Sequence, residues 1–314
     1  MDNSLLTGLS DLHLHLDGSL DVNMVRRLAD IGDISLDLSD SEIKNRLSVR
    51  EGCRNLNEYL EKFDFPCSLL QTEDQISESV YLLKEKLKAS GLSYAEIRFA
   101  PQKHMDKGIS MEGVIEAAID GNKRSSFPSK LILCMMRGND NHEANLQTVR
   151  LTKKYLGNDV CAIDLAGAEA LFPTEDFEDC FLLARSLDVP FTIHAGEASG
   201  AFSIWKAIEF GAKRIGHGVR AYEDEKLLEY LSKHRIPLEL CPTSNLNTCV
   251  FDDISAYPIR TFLKYDIPVT INTDNMSVSD TDIEKEYRLL IDAFNLSNDE
   301  IETIKNNSIN AAFS

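Results

Sequence analysis

The segment Leu9-Ser-Asp-Leu-His-Leu-His-Leu16 decides the fold interpretation, because it combines the pattern of a buried strand with two histidines. Apolar and polar residues alternate, as in a β-strand, so His13 and His15 share a face. Three further apolar runs end in polar residues. They are Phe191-Thr-Ile-His-Ala-Gly-Glu197, Arg214-Ile-Gly-His-Gly218 and Val269-Thr-Ile-Asn-Thr-Asp-Asn275. Each segment therefore places a metal-suited or proton-carrying side chain where a strand is expected to stop.

Eight apolar runs of strand length recur along the chain. They are Leu9–Leu16, Tyr94–Ala100, Leu131–Arg137, Val160–Gly167, Pro190–Glu197, Arg214–Gly218, Pro237–Cys241 and Val269–Asp274. Segments with helical periodicity separate most of them, namely Glu112–Arg124, Glu143–Leu156, Glu175–Leu187, Ala201–Phe210, Glu223–His234 and Ile259–Tyr265. Repeated alternation of strand and helix predicts an α/β fold, a (β/α)8 TIM barrel.

The stretch between the first two runs, residues 17–91, carries several helical patterns instead of one. We expect it to form a helical insertion after the first strand, over the mouth of the barrel. No linker rich in Pro, Gly or Ser divides the chain, so residues 1–314 are expected to form a single domain. The carboxyl ends of barrel strands converge on one mouth, so the polar residues that end these strands should meet there.

Charge and composition limit the classes of partner. The net charge of −18 repels phosphate backbones and anionic lipid surfaces, so a neutral or cationic small molecule is a better partner than nucleic acid. The start, Met1-Asp-Asn-Ser-Leu-Leu6, lacks the features of a signal peptide, and no apolar run is long enough to span a bilayer. Seven cysteines without a Cys-x-x-Cys pair suggest reduced thiols. We expect a cytoplasmic protein, of undetermined oligomeric state.

His13, His15, His194 and Asp274 form a candidate metal site. A single histidine at a strand end is more often a hydrogen-bonded structural residue, but four of the seven histidines fall in these motifs. Three imidazoles and one carboxylate suit one Zn²⁺ ion, with iron, cobalt or manganese as alternatives. A second ion is not expected, because the segment around Asp164 offers no lysine to bridge two metals; Asp164 is expected to support a ligand instead.

Two further residues are candidates for proton transfer. Glu197 lies three residues beyond His194, close enough to the expected metal to exchange a proton with a bound substrate. His217 lies between two glycines that allow close backbone approach, and it could orient or deprotonate a water molecule. A solvated loop glutamate and a structural histidine in a tight turn are the alternative interpretations. The combination favours a metal-assisted hydrolase.

Six sequence motifs resemble those of the adenosine and adenine deaminases of the amidohydrolase superfamily, and they occur in the family's order. They are His13-Leu-His-Leu-Asp-Gly-Ser19, Ile163-Asp-Leu-Ala-Gly167, His194-Ala-Gly-Glu197, Gly216-His-Gly218, Leu240-Cys-Pro-Thr-Ser-Asn245 and Asn272-Thr-Asp-Asn275. The resemblance implies a zinc-dependent hydrolytic deamination of adenosine and 2′-deoxyadenosine that releases ammonia, a step of purine metabolism.

The resemblance also implies roles for individual residues. Glu197 would give a proton to purine N1, and His217 would position the attacking water and stabilise charge. Asp274 would take part in catalysis as well as hold the metal. The residues expected to contact the substrate are His15, Asp17 at a ribose hydroxyl, the Gly167 backbone at N3, and Asn275 at N7. The family often has aspartate where this chain has Asn275; an amide can donate to N7 without being protonated.

Leu56, Tyr59, Leu60 and Phe63 recur at the spacing of one helical face. Such an apolar stripe is most often part of a core. Its position in residues 17–91 also matches the family's hydrophobic gate, which would exclude water from the site. We expect these four residues to line the substrate site.

Two other functions remain open. An adenine deaminase would carry out the same chemistry on the free base, and Asp17 would then have no ribose to contact. A catalytically inactive barrel that binds nucleoside would be expected to lack a metal ligand or the acid, yet both are present. Deaminases that act on polynucleotides carry His-x-Glu and Pro-Cys-x-x-Cys motifs, which this chain lacks.

Overall fold

The computed structural model describes residues 3–49, 53 and 55–313, and its strands follow the predicted pattern. The strands are β1 (Ser10–His15), β2 (Tyr94–Phe99), β3 (Ser129–Met136), β4 (Val160–Ala166), β5 (Thr192–Ala195), β6 (Arg214–His217), β7 (Leu238–Leu240) and β8 (Val269–Ile271). Each falls within or beside a predicted apolar run, and the ends differ by a few residues. The predicted α/β fold is confirmed.

The strands form a closed parallel barrel. One sheet has the order β1-β2-β3-β4 and the other β5-β6-β7-β8, and every pairing within them is parallel. Isolated bridges connect the two sheets at both seams, Ile163 with Phe191 and Leu14 with Asp274. The second bridge attaches the end of the last strand to the first strand. It therefore brings Asp274 beside the two histidines of β1.

Helices surround the barrel. They are α1 (Val22–Ile31), α2 (Asp40–Leu47), α3 (Leu56–Leu60), α4 (Asp64–Ser68), α5 (Glu73–Ala89), α6 (Met111–Arg124), α7 (His142–Tyr155), α8 (Glu178–Ser186), α9 (Ala201–Phe210), α10 (Glu225–His234), α11 (Pro242–Asn247), α12 (Ile259–Lys264), α13 (Ile283–Phe294) and α14 (Asn298–Ala311). Among the described residues, no helix combines the length and apolar composition needed to cross a membrane. The cytoplasmic location stays a prediction.

Five helices, α1 to α5, lie between the first two strands. Of these, α5 packs along α6 in the outer layer of the barrel, so it occupies the place of the ordinary first barrel helix. The short helices α3 and α4 instead contribute side chains to the cavity at the mouth. Residues 50–52 and 54 of the predicted insertion lie outside the described residues. That residues 17–91 form an insertion within a single domain stays a prediction.

A network of buried charges fills part of the barrel interior. Arg98 lies 2.9 Å from both Asp164 and Glu239, and Arg214 lies 2.6 Å from both Glu96 and Glu239. All five side chains are almost completely buried. Buried ion pairs contribute little net stability, because desolvation offsets the attraction, but leaving one member unpaired costs several kcal/mol. The network therefore holds its carboxylates in defined positions beneath the mouth.

Candidate active site

Four ligand atoms converge at the mouth of the barrel. The Nε2 atom of His194 lies 3.0 Å from Nε2 of His13 and 3.3 Å from Nε2 of His15. The Oδ1 atom of Asp274 lies 3.5 Å from Nε2 of His13 and 3.3 Å from Nε2 of His15. All four residues are buried. The geometry thus brings together the four residues that the sequence marked as metal ligands.

Carboxylates on the far side of the rings orient two of the histidines. Oε2 of Glu239 lies 2.8 Å from Nδ1 of His13, and Oδ2 of Asp164 lies 2.8 Å from Nδ1 of His194. Each carboxylate favours a proton on the neighbouring Nδ1, so both Nε2 atoms present lone pairs to each other. Facing lone pairs repel unless a cation lies between them. The donor set, with these outer carboxylates, therefore fits a divalent metal ion.

The backbone around the ligands is closely packed and locally strained. A Cβ atom at Gly216 would lie 3.2 Å from Cε1 of His13 and 3.1 Å from Cα of His194, so only glycine fits there comfortably. His217 and Asp274 both have positive φ angles, 57° and 59°. Such backbone conformations are costly for residues other than glycine, and they cluster at functional sites. They point both side chains into the mouth.

Glu197 is buried beside the candidate metal-binding residues. Its Oε2 atom lies 3.7 Å from Nε2 of His217, and the hydroxyl of Thr248 donates to Oε1 at 3.4 Å. Burial raises the pKa of Glu197 well above its ordinary value, and the negative charges of Asp274 and Glu169 add to the effect. Burial therefore favours the protonated form of Glu197, which can act as an acid.

The hydrogen bonds of His217 define its tautomer. Tyr257 donates its hydroxyl hydrogen to Oδ1 of Asn245 at 3.2 Å, which turns the amide NH₂ group of Asn245 toward Nδ1 of His217 at 3.1 Å. Nδ1 accepts, so the proton of the neutral ring lies on Nε2. Burial lowers the pKa of His217 well below its ordinary value, and the positive charge that His13 can carry lowers it further. His217 thus presents a neutral N–H donor to the site.

The predicted site residues surround one cavity of about 300 Å³. All of them line it except His13, which lies completely buried beneath it. The predicted apolar face is split, because α3 ends at Leu60 and Phe63 lies in a separate 3-10 turn. Pro66 has no N–H group to continue a helical hydrogen-bond ladder through this region. Leu56, Tyr59, Leu60 and Phe63 nevertheless all contact the cavity.

Two polar side chains in the cavity wall carry buried oxygen atoms without a protein partner. Oδ1 of Asp17 has none, while Oδ2 accepts from the thiol of Cys67 at 3.5 Å. Burial raises the pKa of Asp17 to about 6. Oδ1 of Asn275 also has no partner, and a Cβ at Gly18 would lie 1.9 Å from it. An unpaired buried oxygen is costly, so Oδ1 of Asp17 is available for a ligand, whereas Oδ1 of Asn275 lies against Gly18 and leaves the NH₂ group of the amide as the donor.

Several site residues were not recognised in the sequence. Ser244 donates to Oδ2 of Asp274 at 2.6 Å, and Arg137 donates to the carbonyl oxygen of His194 at 2.6 Å. Glu169 accepts from the main chain around Glu197. Arg137 and Glu169 each follow the end of a strand. The search for polar residues at strand ends, which found the other site residues, could therefore have found these two as well. Their partners, however, are main-chain atoms, which leave no pattern in sequence.

The comparison with known proteins agrees with this site. A family model described as Adenosine deaminase matches residues 9–314. An adenosine deaminase of Haemophilus ducreyi is 48% identical over an alignment of 315 positions that covers 98% of this chain and 92% of that one. The solved adenine deaminase of Arthrobacter aurescens has a TM-score of 0.86 at 25% identity, covering 98% of this chain and 94% of that one.

A solved amidohydrolase of Burkholderia ambifaria with bound Zn has a TM-score of 0.87 at 19% identity, covering 99% of this chain and 86% of that one. This likeness shows the fold alone. The family match spans nearly the whole chain, and the structure brings the family-like motifs together at one mouth. The chain belongs to the adenosine deaminase family.

Proposed function

We propose that this protein removes the 6-amino group of adenosine and 2′-deoxyadenosine by hydrolysis, producing the inosine nucleosides and ammonia. The single observation that carries the proposal is a buried Glu197 that lines the same cavity as the four-donor metal set, with its pKa raised by burial. The Haemophilus ducreyi relative, at 48% identity, is named an adenosine deaminase. A cavity of about 300 Å³ is at the lower end of the range for small-molecule sites and suits one nucleoside.

We propose one zinc ion as the metal, held by His13, His15, His194 and Asp274. Three imidazoles and a carboxylate are typical zinc ligands, and carboxylates behind the rings are typical of zinc sites. Zinc held by these residues would supply an activated water as nucleophile at neutral pH, since zinc can lower the pKa of water to about 7. The solved Burkholderia ambifaria barrel contains zinc. Iron, cobalt and manganese remain outcomes of metal analysis.

Glu197 acts as the acid that protonates N1 of the purine. Addition of water at C6 moves electrons toward N1, so a proton delivered there stabilises the tetrahedral centre. Burial raises the pKa of the Glu197 carboxyl group and so favours the protonated form that can give this proton. The hydroxyl of Thr248 contacts Oε1 and limits the rotation of the carboxyl group.

His217 orients the attacking water and stabilises the charge that develops on its oxygen. Asn245 holds Nδ1, so Nε2 carries the proton and acts as a donor. A neutral donor in a buried site stabilises an oxyanion without paying the desolvation cost of a permanent charge. This arrangement favours orientation by His217 over removal of a proton from water.

The substrate lies across the cavity with its ribose toward Asp17 and its purine toward Asn275 and Gly167. The unpaired Oδ1 of Asp17 accepts from a ribose hydroxyl. The amide NH₂ of Asn275 donates to N7. The backbone N–H of Gly167, which follows β4, donates to N3. His15 contacts the substrate beside the metal.

The apolar residues of the inserted helices close the cavity over the substrate. Leu56, Leu60 and Phe63 line it, and Tyr59 is fixed by a hydrogen bond between its hydroxyl and Ser279 at 2.8 Å. Exclusion of bulk water strengthens the interactions of Glu197 and His217 with the reacting ring. Three of the four are only partly buried, as expected for a surface that a ligand would cover.

The test is the change in ultraviolet absorbance when purified zinc-loaded protein is mixed with adenosine, 2′-deoxyadenosine or adenine. Turnover of the nucleosides alone, abolished by a chelator and restored by zinc, is the expected result. Turnover of adenine alone would assign the chain to the base-specific activity named for the Arthrobacter aurescens structure. No turnover of any of the three would overturn the proposal and support a nucleoside-binding role.

A further inference from the structure

We propose that Glu169 is a positioning residue that holds the catalytic loop, residues 196–199, and thereby places the carboxyl group of Glu197 against the substrate. The inference rests on the proposed function and deepens it. Glu169 is buried, with 1% of its surface exposed, and follows β4 at the barrel mouth. It belongs to none of the motifs that carry the family resemblance. Its contacts are almost all with the segment that carries Glu197.

One carboxylate accepts hydrogen bonds from four consecutive main-chain N–H groups. The donors are Gly196 at 2.7 Å to Oε1, and Glu197 at 3.1 Å, Ala198 at 2.7 Å and Ser199 at 3.0 Å to Oε2. The hydroxyl of Ser203 adds a fifth bond, 2.5 Å to Oε1. Successive N–H groups that turn toward one point form an anion-binding concavity. Here the anion is a side chain of the same protein.

The positive φ of Gly196, 72°, turns the chain so that these N–H groups converge. A Cβ at this position would lie 2.4 Å from Cδ1 of Ile204, so only glycine allows the turn. Gly196 is therefore needed for the loop conformation that Glu169 binds. The loop conformation and the Glu169 carboxylate depend on each other.

The charge on Glu169 is matched by N–H and O–H dipoles. Within the described part of the chain, no lysine or arginine forms an ion pair with it at 4.0 Å or less; Arg137 interacts with it only at longer range. Five donors face two oxygen atoms, and an ionised carboxylate can accept from all of them. An amide cannot, because its NH₂ group is a donor. In Glu169→Gln, the NH₂ group of the amide would therefore face N–H donors of the loop, and these donors would lose their acceptor.

Arg220 holds the loop by two of its carbonyl groups and not by the N–H group of Glu197. The N–H of Arg220 donates to the carbonyl of Gly196 at 3.1 Å, and Nε of Arg220 donates to the carbonyl of Glu197 at 3.1 Å. Arg137 fixes His194, which precedes the loop. Loss of the Glu169 bonds thus leaves the candidate metal ligands in place but releases the N–H side of the loop, so that the Glu197 backbone can shift about its remaining contact with Arg220. A displacement near 1 Å can lower a rate about 100-fold.

The experiment compares Glu169→Gln, Glu197→Gln and the double variant, each as zinc-loaded protein with adenosine. Glu169→Gln is expected to lower kcat about 100-fold, with KM changed less than about threefold and zinc content unchanged. In the Glu197→Gln background, the second substitution should lower kcat no further, because Glu169 acts through Glu197. Glu78→Gln is the control, since Glu78 pairs with Arg27 and Arg124 in the outer helical layer.

An equal loss of kcat in the wild-type and Glu197→Gln backgrounds would assign Glu169 a purely structural role and overturn the inference. Wild-type kcat in Glu169→Gln, or a loss of bound zinc from it, would also overturn the inference. If Glu169→Gln does not accumulate as folded protein, Ser203→Ala provides the same test. It removes one of the five bonds and should lower kcat less, again only when Glu197 is present. Inactive wild-type protein would contradict the proposed function, whereas active wild type with an unaffected variant contradicts this inference alone.

Discussion

The Nδ1 atom of His13 lies 2.8 Å from Oε2 of Glu239, and the same oxygen accepts from Nη2 of Arg98 at 2.9 Å. Burial opposes ionisation of Glu239, but Arg98 and Arg214 hold its pKa well below the ordinary value. Glu239 therefore remains an anion that draws the proton of His13 to Nδ1 and directs the Nε2 lone pair toward the metal position. The buried charge network of the barrel is thus directly connected to the metal site.

Glu239→Gln is expected to weaken zinc binding about 10- to 100-fold, the usual effect of losing a carboxylate behind a metal-bound histidine. The amide is a weaker partner for Nδ1 and leaves the charges of Arg98 and Arg214 less balanced. Competition with a chromogenic chelator measures the affinity.

The matched control is Glu96→Gln, because Glu96 is equally buried and pairs with Arg214 but does not contact a histidine. Both variants lose one buried negative charge, so both should lose thermal stability in the metal-free form. Only Glu239→Gln should lose zinc affinity. Equal zinc affinities in the two folded variants would show that the network has no specific influence on His13.

Glu197→Gln is expected to retain zinc and nucleoside binding while kcat falls at least about 1,000-fold, within the range for loss of a general acid. Glutamine has the same shape and can still accept from Thr248, but it has no acidic proton to give to N1. Steady-state kinetics, zinc analysis and inosine binding separate these effects. Turnover near that of the wild type would remove Glu197 from the role of acid.

Most of the barrel could be predicted from sequence because each strand is a short apolar run between helical segments. The candidate metal ligands could be recognised because each is a histidine or aspartate at the end of such a run. Period-2 alternation correctly placed His13 and His15 on one face. Local pattern and shared fold geometry were therefore sufficient for these residues.

Other parts of the site depend on contacts that sequence does not encode locally. Glu169 bonds to main-chain N–H groups, which every residue except proline has, so nothing in the sequence marks its partners. The tautomer of His217 depends on Asn245 and on Tyr257, which lies 12 residues farther along the chain. The helix predicted through Phe63 ends early, because apolar spacing indicates a face but not the length of the helix.

Asn275→Asp is expected to raise KM for adenosine about three- to tenfold, equivalent to loss of one ordinary hydrogen bond, with little change in kcat. The amide donates to N7 at any pH, whereas a carboxyl group donates only when protonated. The measurement is KM for adenosine and for 7-deazaadenosine, which lacks N7. The analogue should lose affinity for the wild type but not for the variant. Equal binding of both compounds to both proteins would mean that the N7 contact does not exist.

Glu286 is expected to make the protein less stable as pH rises. Burial raises its pKa from 4.5 to about 7, although the N–H of Thr243 and the hydroxyl of Thr281 both donate to it. Between pH 4.5 and 7 the folded state therefore keeps the proton that the unfolded state releases. The protonated carboxyl group contributes its full stabilisation below pH 4.5, and this contribution of about 3 kcal/mol is lost as the pH rises toward 7. Glu286→Gln removes this contribution, so the difference in Tm between variant and wild type should grow from pH 5 to pH 8. A difference that is constant across this range would contradict the assignment.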